Sequence, residues 1–340
     1  MAGLYGRQIT GASFPQEIQA PESRVRLCKA ADRGARAATA AHLHNELKTI
    51  RIALPLAGGR PYQPEVYTMS KVWFITGASK GFGREFALAA LERGDLVAAT
   101  ARNTDTLSDL VEQYGDAVLP VELDVTNRDQ VFAAVKSAHE TFGWIDVVIN
   151  NAGYGLFGTV EEITEQQLRD QLETNLFGVF HVTQAALPIL REQRAGHIIQ
   201  ISTMGGIVAF PTLGAYHASK WALEGMTDAL AQEVAGFGIK VTLVEPGGFA
   251  TDWSGASAIV ADAHPAYAAL HENMAARRAQ VVLPEPVGFK SAILKVVDAE
   301  VAPKRVFFGE GPTQMAPQVY QQRLAEWAEW AHVSKAAEGK

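Results

Sequence analysis

The chain has 340 residues and a mass of 36.6 kDa, room for one large α/β domain or two ordinary ones around a substantial core. With 48% hydrophobic and 20% charged residues it is globular in composition, and no stretch approaches the ~18 uncharged apolar residues that a membrane helix requires. The net charge of −7 is uneven: residues 1–68 hold nine Lys/Arg against five Asp/Glu, and the remainder, 21 against 32, is too acidic for general phosphate-backbone binding, so no nucleic-acid partner is expected.

Residues 1–68 lack sustained periodicity and are interrupted by Pro15, Pro21, Gly58, Gly59, Pro61 and Pro64. They are expected to form a poorly ordered N-terminal extension, or to be a start-site artefact, because Met69 is followed at once by a strong strand signal. No apolar core follows a basic start, as a secretory signal needs, while the arginine content leaves an organelle-type presequence open. The single cysteine, Cys28, cannot form an internal disulfide and suits a reducing, cytoplasmic compartment.

From residue 71 onward, apolar strand-like runs at 72–76, 96–101, 118–123, 145–150, 197–202, 241–244 and 305–308 alternate with longer helical patterns. Short continuous runs of Val, Ile, Leu and Phe are expected where helices cover both faces of a parallel sheet. The expected fold is therefore α/β, a single doubly wound sheet of about seven strands spanning residues 69–340.

The first strand runs directly into Thr76-Gly77-Ala78-Ser79-Lys80-Gly81-Phe82-Gly83, and a helix follows from Arg84 to Leu91. Glycines at this spacing let backbone approach a pyrophosphate, while the helix start offers unpaired N–H groups and a positive dipole end. Residues 9–13 repeat residues 75–79 letter for letter, but no apolar strand precedes them and no glycine pair follows. About 20 residues further on, an acid would bind a ribose 2′-hydroxyl and an arginine would accommodate a 2′-phosphate. No Asp or Glu lies between 96 and 104, and Arg102 follows the second strand directly, so NADP is expected over NAD, with Lys80 as a second cation.

Tyr216 and Lys220 share one helix face at i and i+4. Free tyrosine titrates near pH ~10, and a nearby ammonium favours its anion, which suits proton exchange with a substrate oxygen. His217 points about 100° away on the same helix and is expected to be a helix-face residue. No HExxH zinc helix occurs among the nine histidines, and no metal is expected. The string Gly77-Ala78-Ser79-Lys80-Gly81 also fits a nucleophile elbow, but it overlaps the phosphate loop and no second motif supplies a base.

Taken in order, the glycine loop, Asn150-Asn151-Ala152-Gly153, Asn175, Ser202-Thr203, Tyr216/Lys220 and Pro246-Gly247 resemble the short-chain dehydrogenase/reductase family, over about residues 70–309. The resemblance implies a Rossmann-type domain. It implies Tyr216 as general acid/base, Lys220 tuning it and holding the nicotinamide ribose, and Asn175 anchoring a proton relay. It also implies that Asp124 and Val125 meet the adenine, that Asn151, Ala152 and Gly153 line the cofactor site, and that Pro246, Gly247 and Thr251 hold the carboxamide. Where the family usually has a catalytic serine, this chain has Thr203, with Ser202 one step upstream. Adjacent strand residues face opposite ways, so Thr203 is the expected choice and Ser202 the alternative if the strand ends in a bulge.

By the same resemblance, residues 249–282 would cover an apolar carbonyl or alcohol substrate. A terminal helix over about 316–333 places Tyr320, Leu324, Trp327 and Ala331 in one apolar stripe, with packing on the core the expected role. Its acidic polar side argues against membrane-surface binding, so no membrane partner is expected. A homo-oligomer is left open. The expected function is an NADP-dependent oxidoreductase acting on a hydrophobic ketone, aldehyde or secondary alcohol; the alternative is a redox-silent dinucleotide-binding regulator.

Overall fold

The run Val72-Trp73-Phe74-Ile75 forms a strand, β1 (Val72–Ile75), whose every residue is buried. Trp73 and Ile75 enter one apolar core and Phe74 the other, as the pleat dictates for a strand with both faces covered. This computed structural model describes residues 49–50, 67–68, 70–251, 253, 255 and 257–339. The expected disorder of residues 1–68 lies outside the described residues, apart from one short antiparallel pairing of Thr49–Ile50 with Tyr67–Thr68.

Six further strands join β1: β2 (Leu96–Ala101), β3 (Val118–Glu122), β4 (Val147–Asn150), β5 (Gly196–Ile201), β6 (Ile239–Pro246) and β7 (Arg305–Phe308). Every pairing in this sheet is parallel, in the order β3-β2-β1-β4-β5-β6-β7. This is the seven-stranded parallel sheet with helices on both faces that the alternation of runs anticipates. One face carries α1 (Gly81–Arg93) and, late in the chain, α8 (Phe289–Asp298), which bury Phe86, Leu91, Phe289 and Ile293. The other carries α3 (Arg128–Phe142) and α5 (Gly178–Gln193), burying Val131, Val135, Val182 and Leu190. The chain turns from one direction of winding to the other between β1 and β4, and ligands of such sheets bind at the strand ends beside that reversal.

Two elements differ from the sequence reading. Strand β6 is twice as long as the run 241–244 suggested, because β5 pairs with its first residue, Gly196 to Ile239, and β7 with its last, Phe308 to Pro246. The terminal helix departs further. It begins at Glu310, as α9 (Glu310–Glu329), and breaks at Trp330 before α10 (Ala331–Ala337). It rests on the body through Ala316 and Val319, which pack with Ile207 and Val208, and through Pro312, buried beside Gly247. Tyr320, Leu324 and Trp327 are 42%, 59% and 66% exposed, and Ala331 is also exposed, so the stripe does not pack on the core as expected. Helical spacing shows that these residues share a face, but it carries no information about what covers that face. Among the described residues no helix is long and apolar enough to cross a membrane.

Candidate active site

At the reversal, β1 and β4 are tied together by one hydroxyl. Thr76 Oγ1 accepts hydrogen bonds from the backbone N–H groups of Asn151 (2.9 Å) and Ala152 (3.0 Å). Asn151 Nδ2 answers by donating to the Thr76 and Gly77 carbonyls, both at 3.0 Å. Gly77 takes a left-handed backbone (φ 66°), and a Cβ on Gly83 would stand 2.2 Å from the Gly77 carbonyl oxygen, so this loop and the start of α1 close on each other only through glycine. No side chain caps the N-terminus of α1 and its first turn holds no acid, which leaves its N–H groups and dipole available to an anion.

A cavity of about 1130 Å³ opens over these strand ends. Its wall includes Gly77, Ser79, Lys80, Gly81 and Phe82 from the loop, then Arg102, Asp124 and Val125. Asn151, Ala152, Gly153, Thr203, Tyr216, Lys220, Pro246, Gly247 and Thr251 complete the predicted set. Three predicted residues support the wall instead of lining it: Thr76, Gly83 and Asn175. Asp124 holds its own turn, its Oδ1 accepting from Thr126 N (2.9 Å) and Oγ1 (2.8 Å), while Arg102 follows β2 directly and is exposed.

The reactive groups converge from three elements. Tyr216 sits in the first turn of α6 (Gly214–Glu233), buried, with Thr203 beside its phenol. Burial raises the phenol's pKa well above its ordinary value, and the neighbouring Thr203 offsets this only in part. Desolvation is the largest influence on the phenol, and the Lys220 Nζ donates to the Ile201 carbonyl at 2.8 Å. Lys220 is itself buried, and burial brings its pKa down to about 8, with Glu224 acting in the opposite direction.

Asn175 lies in a π-helical turn, Glu173–Phe177, between α4 (Glu165–Leu172) and α5. Such turns displace a residue from the regular helix surface. Fully buried, Asn175 accepts from Tyr154 N (3.2 Å) and donates to Tyr154 O (3.0 Å) and Ser219 Oγ (3.2 Å). Ser219 in turn donates to the Tyr216 carbonyl at 2.7 Å. Gly153 passes so close that a Cβ there would stand 2.9 Å from Asn175 Oδ1.

Ser202 and Thr203 follow the end of β5 at Ile201, and both contribute to the cavity wall. The Thr203 Oγ1 accepts from Gly205 N (3.2 Å) and donates to the Pro246 carbonyl (3.4 Å). The Ser202 hydroxyl lies near Gly206 and the Glu224 carboxyl.

Glu224 belongs to a buried acidic group that the sequence reading did not mark. Arg305 reaches Glu224 at 3.0 Å and Glu245 at 3.3 Å, and pairs with Asp228 at 2.7 Å. Glu245 is completely buried, and burial, followed by repulsion from Glu224, raises its pKa to about 8 despite Arg305. A carboxyl whose folded pKa lies above its unfolded value contributes stability that is full below the unfolded value and is lost as pH rises through about 8. Glu245→Gln should therefore flatten the fall in melting temperature as pH rises from about 4.5 to about 8. A variant more stable than the parent at pH 9, and less so at pH 6, is the expected result in a thermal-melt series.

Trp253 and Met274 fall within the expected 249–282 cover, but the sequence reading leaves the rest of the cavity's apolar end unmarked. Phe157 meets Trp253 with ring centroids 5.3 Å apart, and Trp253 meets Tyr216 at 4.8 Å. Phe210, Leu213, Met274 and Leu283 continue this wall. The available signal was position: Phe157 lies just beyond the Asn-Asn-Ala-Gly segment, and Phe210 and Leu213 just before Tyr216.

Comparison with known proteins agrees with this arrangement. Residues 71–258 match the family model described as short chain dehydrogenase. The oxidoreductase BOA17 of Botryotinia fuckeliana is 44% identical over 275 residues, covering 79% of this chain and all of the relative. Among solved structures, a short-chain dehydrogenase from Streptomyces avermitilis superposes with a TM-score of 0.74 at 38% identity, over 79% of this chain and 99% of that one. A short chain dehydrogenase from Burkholderia cenocepacia in complex with NADP gives 0.62 at 28% identity, over 76% and 97%. With its sheet order, its glycine loop and a family match over more than half its length, this chain belongs to the short-chain dehydrogenase family.

Proposed function

We propose that this oxidoreductase reduces a hydrophobic ketone or aldehyde using NADPH, with Tyr216 as the proton donor. The observation that carries the reading is a buried phenol, with Thr203 beside it, between a glycine loop suited to phosphate and an aromatic pocket. The residues fit a dinucleotide: an uncapped α1 N-terminus for the pyrophosphate, a glycine-only approach at Gly77 and Gly83, and Arg102 where a 2′-phosphate would lie. When bound, the cofactor supplies the hydride for the carbonyl carbon. The Burkholderia relative's NADP supports the choice of cofactor.

The raised pKa of Tyr216 keeps its proton in place before reaction, the form that reduction needs. Thr203 would hold the carbonyl oxygen beside that phenol, and the proton passes to the oxygen as it becomes an alcohol. Lys220, with a pKa near 8, exchanges protons readily around neutrality and can restore the phenol, while Asn175 fixes the backbone around it. Residues 249–282, with Trp253 and Met274 in the wall, would cover the substrate.

The test is loss of reduced-cofactor absorbance with NADPH or NADH and a panel of hydrophobic ketones, aldehydes and quinones. NADPH should be preferred, and Arg102→Ala should cut that preference by about tenfold, the loss of one charge-assisted contact. Equal use of both cofactors and an indifferent Arg102→Ala would overturn the NADP assignment. Cofactor binding without turnover across the panel would favour the redox-silent regulator.

A further inference from the structure

The aromatic wall does not end at Trp253. The Arg278 guanidinium lies 4.5 Å over the Phe157 ring, so guanidinium, Phe157, Trp253 and Tyr216 form an unbroken series of ring contacts. Those contacts keep the guanidinium carbon within about 15 Å of the Tyr216 ring. Arg278 and its neighbour Arg277 stand in the last turn of α7 (Ala268–Ala279), and both line the cavity and are exposed.

A basic last turn complements a helix dipole, which accounts for the charge but not for its place in an apolar cavity wall. Neither arginine has a carboxylate partner among the described residues. The acids that touch this part of the chain are engaged elsewhere: Glu162 accepts from His271 at 2.7 Å and Glu161 from the Tyr267 hydroxyl at 2.7 Å. Two cations are thus presented to the cavity mouth of a chain whose body is otherwise acidic. Guanidinium groups in that setting suit bidentate binding of a carboxylate or phosphate.

We infer that the substrate is an amphipathic oxo compound. Its carbonyl reaches Tyr216, its apolar stem lies along Trp253 and Phe157, and an anionic group at its far end is held by Arg277 and Arg278. The inference rests on the proposed reductase reading for the position of the carbonyl end. The anion is distinct from the cofactor's own phosphates, because Arg278 is fixed to Phe157 on the Tyr216 side of the cavity.

The test compares an ω-oxo medium-chain fatty acid, its methyl ester and the corresponding ω-oxo alkyl phosphate. Binding is read from quenching of tryptophan fluorescence in the NADP-loaded protein, and turnover from NADPH absorbance. At least one anion should bind about tenfold tighter than the ester, and the preference should fall to near one in Arg277→Gln/Arg278→Gln and with rising salt. The anion showing the larger preference identifies the head group. Equal binding of acid, phosphate and ester overturns the inference, as does a double variant that keeps the preference. A double variant that loses NADPH affinity with the preference intact assigns the arginines to the cofactor and also overturns it. Preferential anion binding with no turnover of any compound would sustain the anion site and instead defeat the reductase reading.

Discussion

Tyr216→Phe should lower kcat for carbonyl reduction by about 10³-fold, within the range that a positioned general acid contributes. The substitution removes one hydroxyl and leaves the ring. Its packing against Trp253 at 4.8 Å is therefore kept, and so is the backbone carbonyl that accepts from Ser219. Stability should change little: the phenol is buried where its charge is disfavoured, and Thr203 keeps its bonds with Gly205 N and the Pro246 carbonyl. NADPH affinity should fall far less than kcat, so the loss is one of chemistry and not of binding. Stopped-flow measurement of a single turnover separates the two. An undiminished rate would mean that the proton comes from elsewhere, and the buried phenol would then be a packing residue.

The sequence makes most of this arrangement legible because its strongest signals are local. The run at 72–75 reads as a buried strand since every residue is apolar, and the glycine spacing that follows predicts a close approach that Gly77 and Gly83 make. Tyr216 and Lys220 share a helix face by periodicity alone. What the sequence does not reveal depends on contacts between distant segments. Nothing near Glu245 announces Glu224 or Arg305, which lie 21 residues before and 60 after it, so a buried carboxyl group reads as an ordinary acid. The burial of Tyr216 is hidden for the same reason: the i, i+4 spacing shows the ammonium, but desolvation comes from the whole surrounding shell. The outward face of α9 shows the limit from the other side. A regular apolar stripe there is largely exposed.

Gly83→Ala should weaken NADPH binding by about 100-fold or more, the scale of effect that a displacement near 1 Å produces in a positioned site. The added methyl would lie 2.2 Å from the Gly77 carbonyl oxygen, 2.5 Å from Asn151 Nδ2 and 2.9 Å from the Gly77 carbonyl carbon. Two of these are backbone atoms, which cannot rotate away as a flexible side chain would. Either α1 moves off the loop or the loop moves off α1. Both responses misalign the helix N-terminus that would face the pyrophosphate, and both strain the Asn151 bonds that tie β1 to β4. Gly225→Ala provides the comparison. That glycine lies on the exposed face of α6, a Cβ there meets nothing within 4 Å, and alanine is the better helix former, so this variant should bind NADPH as the parent does and melt at the same temperature or higher. Titration of both variants with NADPH, followed by cofactor fluorescence, decides the matter. If Gly83→Ala binds like Gly225→Ala, the cofactor's phosphates lie elsewhere, and the glycine loop is a packing device between β1 and α1.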